Sequence, residues 1–171
     1  MPVVRNQEYS QRFLDPLTQR ALKNWIKLEQ PKPIPWTPLR KTLAECTIAL
    51  ISSGGMAMLN DTPYDQELER QDPWRSDPSF RLIPRTASSE DIRTYHLHIN
   101  TDYCQADINC LLPVERLNEL ETAGVIGRAA DQHYTFMGYV LDPTRLLQES
   151  VPAMIAHIQA DSVDAVLLAP A

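Results

Sequence analysis

The chain has 171 residues, 43% hydrophobic and 22% charged, with 16 Lys+Arg against 22 Asp+Glu and a net charge of −6. That length and apolar content suit one core-forming domain, or a domain plus an arm, and exclude a disordered chain. Fourteen dispersed prolines and only five glycines exclude collagen and glycine-rich repeats, and the acidic balance argues against nucleic acid or an anionic membrane, which need a basic surface.

No apolar run approaches the ~20 residues of a membrane span, and MPVVRNQEYSQRF lacks the basic-then-apolar order of a signal peptide. A cytoplasmic protein is predicted. Cys46, Cys104 and Cys110 are an odd number, which speaks against a disulfide framework and for buried or functional thiols.

Phe13, Leu14, Leu17, Ala21, Trp25 and Leu28 recur at helical spacing, predicting a helix from Ser10 to about Gln30. Ser10 suits its N-cap, and Pro16 suggests that the regular part starts nearby. The proline-rich Gln30–Pro38 segment (QPKPIPWTP) reads as an extended strap. Residues 1–41 are therefore expected to form an N-terminal helix and strap, packed on a domain or a partner subunit, and 42–171 an α/β domain.

That domain opens with Thr47–Ile51 (TIALI), a buried strand leading into Ser52-Ser53-Gly54-Gly55. Asn60–Pro84 is polar and proline-rich and reads as a long ordered loop. Thr94–Ile99 (TYHLHI) has strand character. Pro113 then opens a helix carrying Val114, Leu117 and Leu120, with Gly124 as its stop. Tyr134–Leu141 is strand-like, Asp142-Pro143 opens another helix, and Ser150-Val151-Pro152 kinks it or starts a new one with Met154, Ile155 and Ile158 on its apolar face. Val163–Leu168 is the last strand. The alternation predicts a three-layer, mainly parallel, Rossmann/flavodoxin-like sheet, with parallel strands at about Thr47–Ile51, Tyr95–Ile99, Thr135–Val140 and Val163–Leu168.

Ser53, Gly54 and Gly55 lie at the carboxyl end of a strand, where open α/β sheets place ligands. Glycine amides and serine hydroxyls can donate to an anion there, or the segment can simply be a tight strand exit. His96, His98, Asp102, Tyr103, Cys104, Asp107, Asn109 and Cys110 form the densest polar cluster. On a strand His96 and His98 would share a face and could bind zinc with Cys104 or Asp102, but the spacing matches no zinc signature, and hydrogen-bonded histidines are the alternative. His133 could face the same pocket, His157 reads as structural, and Cys46 as a small buried side chain. Asp107 and Asn109 either reach the pocket or cap the helix near Pro113. No G-x-S-x-G elbow, Walker loop or complete dinucleotide fingerprint is present. A substrate-binding set of Ser53, Gly54, Gly55, His98, Asp107, Asn109 and His133 is expected at the carboxyl edge of the sheet, with no metal.

TIALISSGGMAML, DPSFRLIPR, ADINCLLPVERLNELETAGVIG, HYTFMGYV and ADSVDAVLLAPA, in this order over about Cys46–Ala171, together resemble the glycine/sarcosine/betaine/D-proline reductase selenoprotein B family, in its short stand-alone form. The resemblance implies reductive cleavage of a C–N bond in an amino acid or betaine-like substrate by a selenolate or thiolate that attacks the α-carbon. It also implies other reductase subunits as partners, a pyruvoyl group on one of them, a thioredoxin-type or other dithiol donor, and a small-molecule substrate; a homo-oligomer is compatible with it.

In the family the selenocysteine or cysteine redox motif follows the strand matching Val163–Pro170, so no catalytic residue or cofactor is assigned within the 171 residues. Selenocysteine is expected beyond Ala171, at an in-frame UGA codon, a chosen boundary or a natural short paralogue being the alternatives. The 171-residue product alone is then expected to lack reductase activity. His98-Ile99-Asn100 followed by Thr101-Asp102 also departs from the His-Tyr-Asp-like string of relatives. The alternative function is a non-catalytic ligand-binding or assembly subunit that keeps the pocket. A metal-dependent hydrolase using His96 and His98 is a third reading.

Overall fold

The computed structural model describes residues 16–28, 33, 37–72 and 74–171. They belong to two compact units, Met1–Pro38 and Leu39–Ala171. Within the first, helix α1 spans Pro16–Leu28, with proline at the first-turn position where its missing N–H costs nothing. The expected Ser10 cap and most of the Gln30–Pro38 strap lie outside the described residues.

The second unit is an α/β domain with a mostly parallel sheet. Strand β1 (Thr47–Ser52) is its centre. On one side β7 (Ala165–Ala169) runs parallel along Ile48–Ser52. On the other side β1 meets β5 (Arg128–Ala129) and then β6 (Gln132–Phe136), both parallel to it. β3 (Phe80–Pro84) adds antiparallel to β6, while β2 (Met56–Met58) and β4 (Ile92–Thr94) form a separate antiparallel ribbon.

Strand alternation divides the apolar residues of β1 between two cores. Ile48 and Leu50 join one cluster with Ile83, Cys104, Ile108, Leu112, Val114 and Leu117. Ala49 and Ile51 join another with Tyr134, Met154 and Ile158. Helices α3 (Thr101–Ala106) and α4 (Val114–Thr122) supply the first cluster, and α5 (Val151–Ala160) the second. α4 ends where Gly124 takes φ +69, a left-handed value suited to glycine, and the Val125 amide returns to the Leu120 carbonyl.

The sheet contains one irregular rung. Arg128 and Ala130 donate to the Cys46 and Ile48 carbonyls at 3.0 and 2.8 Å, but the next β1 donor, the Leu50 N–H, goes to Nδ1 of His133 at 3.2 Å. An imidazole thus replaces a carbonyl where β5 breaks off and β6 begins. Regular pairing resumes at Ile51–Tyr134.

Two expectations are corrected here. Tyr95–Ile99 is a turn following β4, not a sheet strand, because its backbone groups have other partners. The Tyr95 N–H donates to the Gly55 carbonyl at 2.8 Å, the Gln66 amide donates to the Tyr95 carbonyl, and the His98 N–H goes to a histidine ring. Asn60–Pro84 is not a plain loop: it holds helix α2 (Gln66–Gln71), capped by Asp65 accepting from the Leu68 N–H at 3.0 Å, and strand β3. The last two expected strands are present with shifted limits, as β6 and β7.

Candidate functional site

The carboxyl end of β1 turns sharply through Ser52–Gly55. Ser52 Oγ accepts from the Gly54 N–H at 3.1 Å, the Gly55 N–H donates to the Phe136 carbonyl at 2.9 Å, and Gly55 takes φ +63. A Cβ on Gly55 would approach the His96 amide nitrogen at 3.3 Å. Ser53 is tied on both sides: its carbonyl accepts from the Gly138 N–H at 2.9 Å, and its Oγ accepts from the Ala171 N–H at 2.9 Å. The exits of β1, β6 and β7 therefore meet at one edge of the sheet.

Beside this edge stands a histidine–carboxylate pair. His98 Nε2 lies 2.5 Å from Glu69 Oε1. The Glu69 side chain, on α2, is only 2% exposed, whereas that of His98 is 45% exposed. Glu69 Oε2 is also buried and has no hydrogen-bond partner among the described residues. The buried carboxylate thus fixes one ring nitrogen and leaves the Nδ1 side of an accessible imidazole available to a ligand. The Tyr139 ring lies 4.0 Å from that of His98, centroid to centroid, carried by a backbone with φ +61.

His96 positions this pair. Its Nδ1 accepts the His98 N–H at 3.1 Å, an arrangement that requires an unprotonated Nδ1. Burial, and secondarily the neighbouring His98, hold the His96 pKa below the usual histidine value, with Glu69 opposing. That keeps the acceptor neutral. Gly138 leaves room for the His96 ring: a Cβ there would stand 2.8 Å from His96 Nε2 and 2.8 Å from the Ser53 carbonyl oxygen. Because the second obstacle is backbone, Gly138→Ala is expected to cost about 1–3 kcal/mol, the usual penalty of overpacking, measured as a lower urea midpoint. An unchanged midpoint would contradict this packing.

Next to the pair runs a groove of about 390 Å³, whose lining includes Leu68, Trp74, Arg75, Val140, Asp142 and Arg145. Leu68 and Val140 directly adjoin Glu69 and Tyr139 in the chain. Arg145 is engaged by Glu149 at 3.1 Å, whereas Arg75 makes no ion pair among the described residues.

Of the expected site residues, Ser53, Gly54, Gly55 and His98 meet at this edge. Asp107 and Asn109 act elsewhere. Asp107 accepts from the backbone and side-chain amides of Asn109 at 2.9 and 2.8 Å, and Asn109 Oδ1 accepts from the Glu115 N–H at 3.1 Å, at the start of α4. His133 is fully buried in the β1 ladder. Among the described residues no group of three His, Cys, Asp or Glu side chains could hold a metal ion. Cys104 instead lies against Met56, Sγ to Sδ 3.5 Å. Glu69, Gly138 and Tyr139 were not singled out by sequence reasoning; the only hint was a charged helical string, QELERQ, inside a segment read as loop.

The model of one family, described as glycine/sarcosine/betaine reductase selenoprotein B, matches residues 7–171. The chain belongs to that family. Among curated proteins it is 32% identical over 149 residues to the D-proline reductase subunit gamma of Acetoanaerobium sticklandii, covering 87% of this chain and 58% of the relative. It is 27% identical over 166 residues to the glycine reductase complex component B subunit gamma of Carboxydothermus hydrogenoformans, covering 93% of this chain and 37% of that relative. The chain thus spans little more than half the length of the first of these relatives and about a third of the second. No solved structure gives a significant match. Among the described residues no helix is long and apolar enough to cross a membrane.

Proposed function

We propose that this chain is part of a reductase-complex subunit that binds an amino acid or betaine-like substrate for reductive C–N cleavage, at the edge formed by Ser53, Gly54, Gly55 and the Glu69–His98 pair. The observation that carries this reading is the pair itself: a buried carboxylate orients one ring nitrogen of an accessible histidine beside a glycine turn. Such an arrangement suits an imidazole to exchange a proton through its other nitrogen. A selenolate or thiolate would attack the α-carbon, forming a selenium–carbon or sulfur–carbon bond as the C–N pair leaves with nitrogen. A pyruvoyl group on a partner subunit would activate a primary or secondary amine, and a dithiol donor would supply the two electrons that release the product. Where the departing nitrogen is not quaternary, His98 would give it its proton. Arg75, in the adjoining groove, suits the substrate carboxylate.

The exit of β7 supports this reading: the Ala171 N–H reaches Ser53 Oγ at 2.9 Å, which brings a third strand exit to the site edge. The open, mostly parallel sheet is read as Rossmann/flavodoxin-like, with the site at the strand exits. A dithiol donor and further reductase subunits complete the proposed assembly.

The test is to isolate the native assembly containing this chain and supply glycine, sarcosine, betaine or D-proline with dithiothreitol. Substrate-dependent amine or ring-opened product supports the proposal. Saturable binding without product favours the ligand-binding or assembly role, and neither binding nor product overturns both.

A further inference from the structure

We propose that Asp142 recognises the substrate nitrogen and makes this chain prefer a zwitterion that carries an N–H over one whose nitrogen is fully methylated. The inference rests on the reductase reading above and deepens it. It names the side chain that reads how far the nitrogen is substituted.

The groove beside the histidine–carboxylate pair carries both signs of charge. Leu68 and Val140 give it apolar lining, and the largely exposed Trp74 adds an aromatic ring. Its charged residues are Arg75, Asp142 and Arg145. Arg145 is neutralised by a two-pronged contact with Glu149, Nε to Oε1 at 3.1 Å and Nη2 to Oε2 at 3.2 Å. What stays available is one cation, Arg75, and one carboxylate. A lone anion would be repelled by Asp142 and a lone cation by Arg75, so the balance fits a small ligand that bears both charges.

Asp142 is set for this task by its own turn. Its Oδ1 accepts from the Thr144 N–H at 3.1 Å and from the Thr144 hydroxyl at 2.6 Å. The hydroxyl foremost, and then the amide, hold the carboxyl below the usual carboxylate range, so it is ionised at neutral pH. Among the described residues no donor reaches Oδ2. One oxygen thus orients the side chain and the other is open to a ligand. The segment that follows, Leu146–Ser150, is π-helical, an uncommon form that recurs at functional sites, and Arg145 stands at its start.

The discrimination follows from hydrogen-bond chemistry. A primary, secondary or tertiary ammonium has at least one N–H to donate to Oδ2, and charge strengthens that bond at both ends. A trimethylated nitrogen keeps its charge but has no proton to donate, and its methyl groups hold the charge away. The break in affinity is therefore expected at the last methyl group, not spread evenly along the series.

N,N-dimethylglycine and betaine are the decisive pair. They share a carboxylate, differ by one methyl on nitrogen, and neither can condense with a carbonyl group of a partner subunit. Glycine, sarcosine, N,N-dimethylglycine and betaine are dialysed to equilibrium against the native assembly without a dithiol donor, and bound ligand is quantified by mass spectrometry. D-proline, N-methyl-D-proline and N,N-dimethyl-D-proline form a second series. In whichever series binds, the fully methylated member is expected to bind about tenfold more weakly than the member one methyl short of it. Asp142→Asn keeps the shape and the oxygen that accepts from Thr144, but turns an amide donor toward the ligand; it is expected to close that gap. A gap caused by crowding would persist in this variant. Arg75→Gln is expected to weaken every member alike, since all share the carboxylate. No gap in the wild type, or a gap that persists in Asp142→Asn, overturns the role of Asp142 and leaves the substrate reading standing. Binding of no member of either series overturns both.

Discussion

Glu69→Gln and His98→Gln are each expected to lower turnover of the native reductase assembly by about 10²–10⁴-fold, the contribution usual for a positioned acid–base group. The expectation rests on the asymmetry of the pair. The Glu69 side chain is 2% exposed, so its contact with the ring nitrogen is shielded from competing water. A neutral amide at position 69 would offer a donor as readily as an acceptor and would hold the ring less firmly. Glutamine at 98 would keep a polar group there but could not exchange a proton. A further reading separates chemistry from misfolding: added imidazole should restore part of the rate in His98→Ala. Full turnover in His98→Gln would remove the pair from the mechanism.

The largest effect on stability is expected at His133. His133→Ala would leave the Leu50 N–H without its acceptor and open a cavity in a ring site that is fully buried. An unpaired buried donor costs about 1–3 kcal/mol and a large-to-small core change about 2–5 kcal/mol, so a loss of at least 3 kcal/mol in urea unfolding is expected. The same residue sets a pH dependence. Burial, helped by Arg85, pushes its pKa from 6.5 down to about 4. Between those values the unfolded chain binds a proton that the folded chain refuses. The stabilisation is therefore complete above pH 6.5 and is lost as pH falls toward 4, by about 3 kcal/mol. His96, also depressed, adds to the slope in the same direction. His133→Asn, whose side-chain oxygen can stand in for Nδ1, should flatten the slope between pH 4.5 and 6.5 without breaking the rung. A slope unchanged in His133→Asn would show that His133 is not its source.

Much of the scaffold was legible because β1 and α4 carry strong local signals. TIALI is apolar on both faces, and it lies between two cores. The helix after Pro113 has a start signal, an apolar face and a glycine stop. β3 was not legible for the opposite reason. Phe80 and Leu82 face one core and Ile83 the other, but arginine, proline and aspartate neighbours hide the alternation. The histidine turn misled because TYHLHI alternates like a strand, whereas the fold assigns its backbone hydrogen bonds to Gly55, Gln66 and a histidine ring. The site was half legible. The glycine turn has a local signature, but Glu69 meets His98 across 29 positions of sequence, and no periodicity reports such a contact.

Tyr139 adopts a left-handed backbone that disfavours a side chain, yet it carries the ring packed at a tilt against His98. Such a conformation costs a non-glycine residue on the order of 1 kcal/mol. Endurance and chemistry therefore pull this position in opposite directions. A laboratory selection that rewards heat resistance alone would drift toward glycine here, and the hardier protein would have surrendered the aromatic cover of its imidazole.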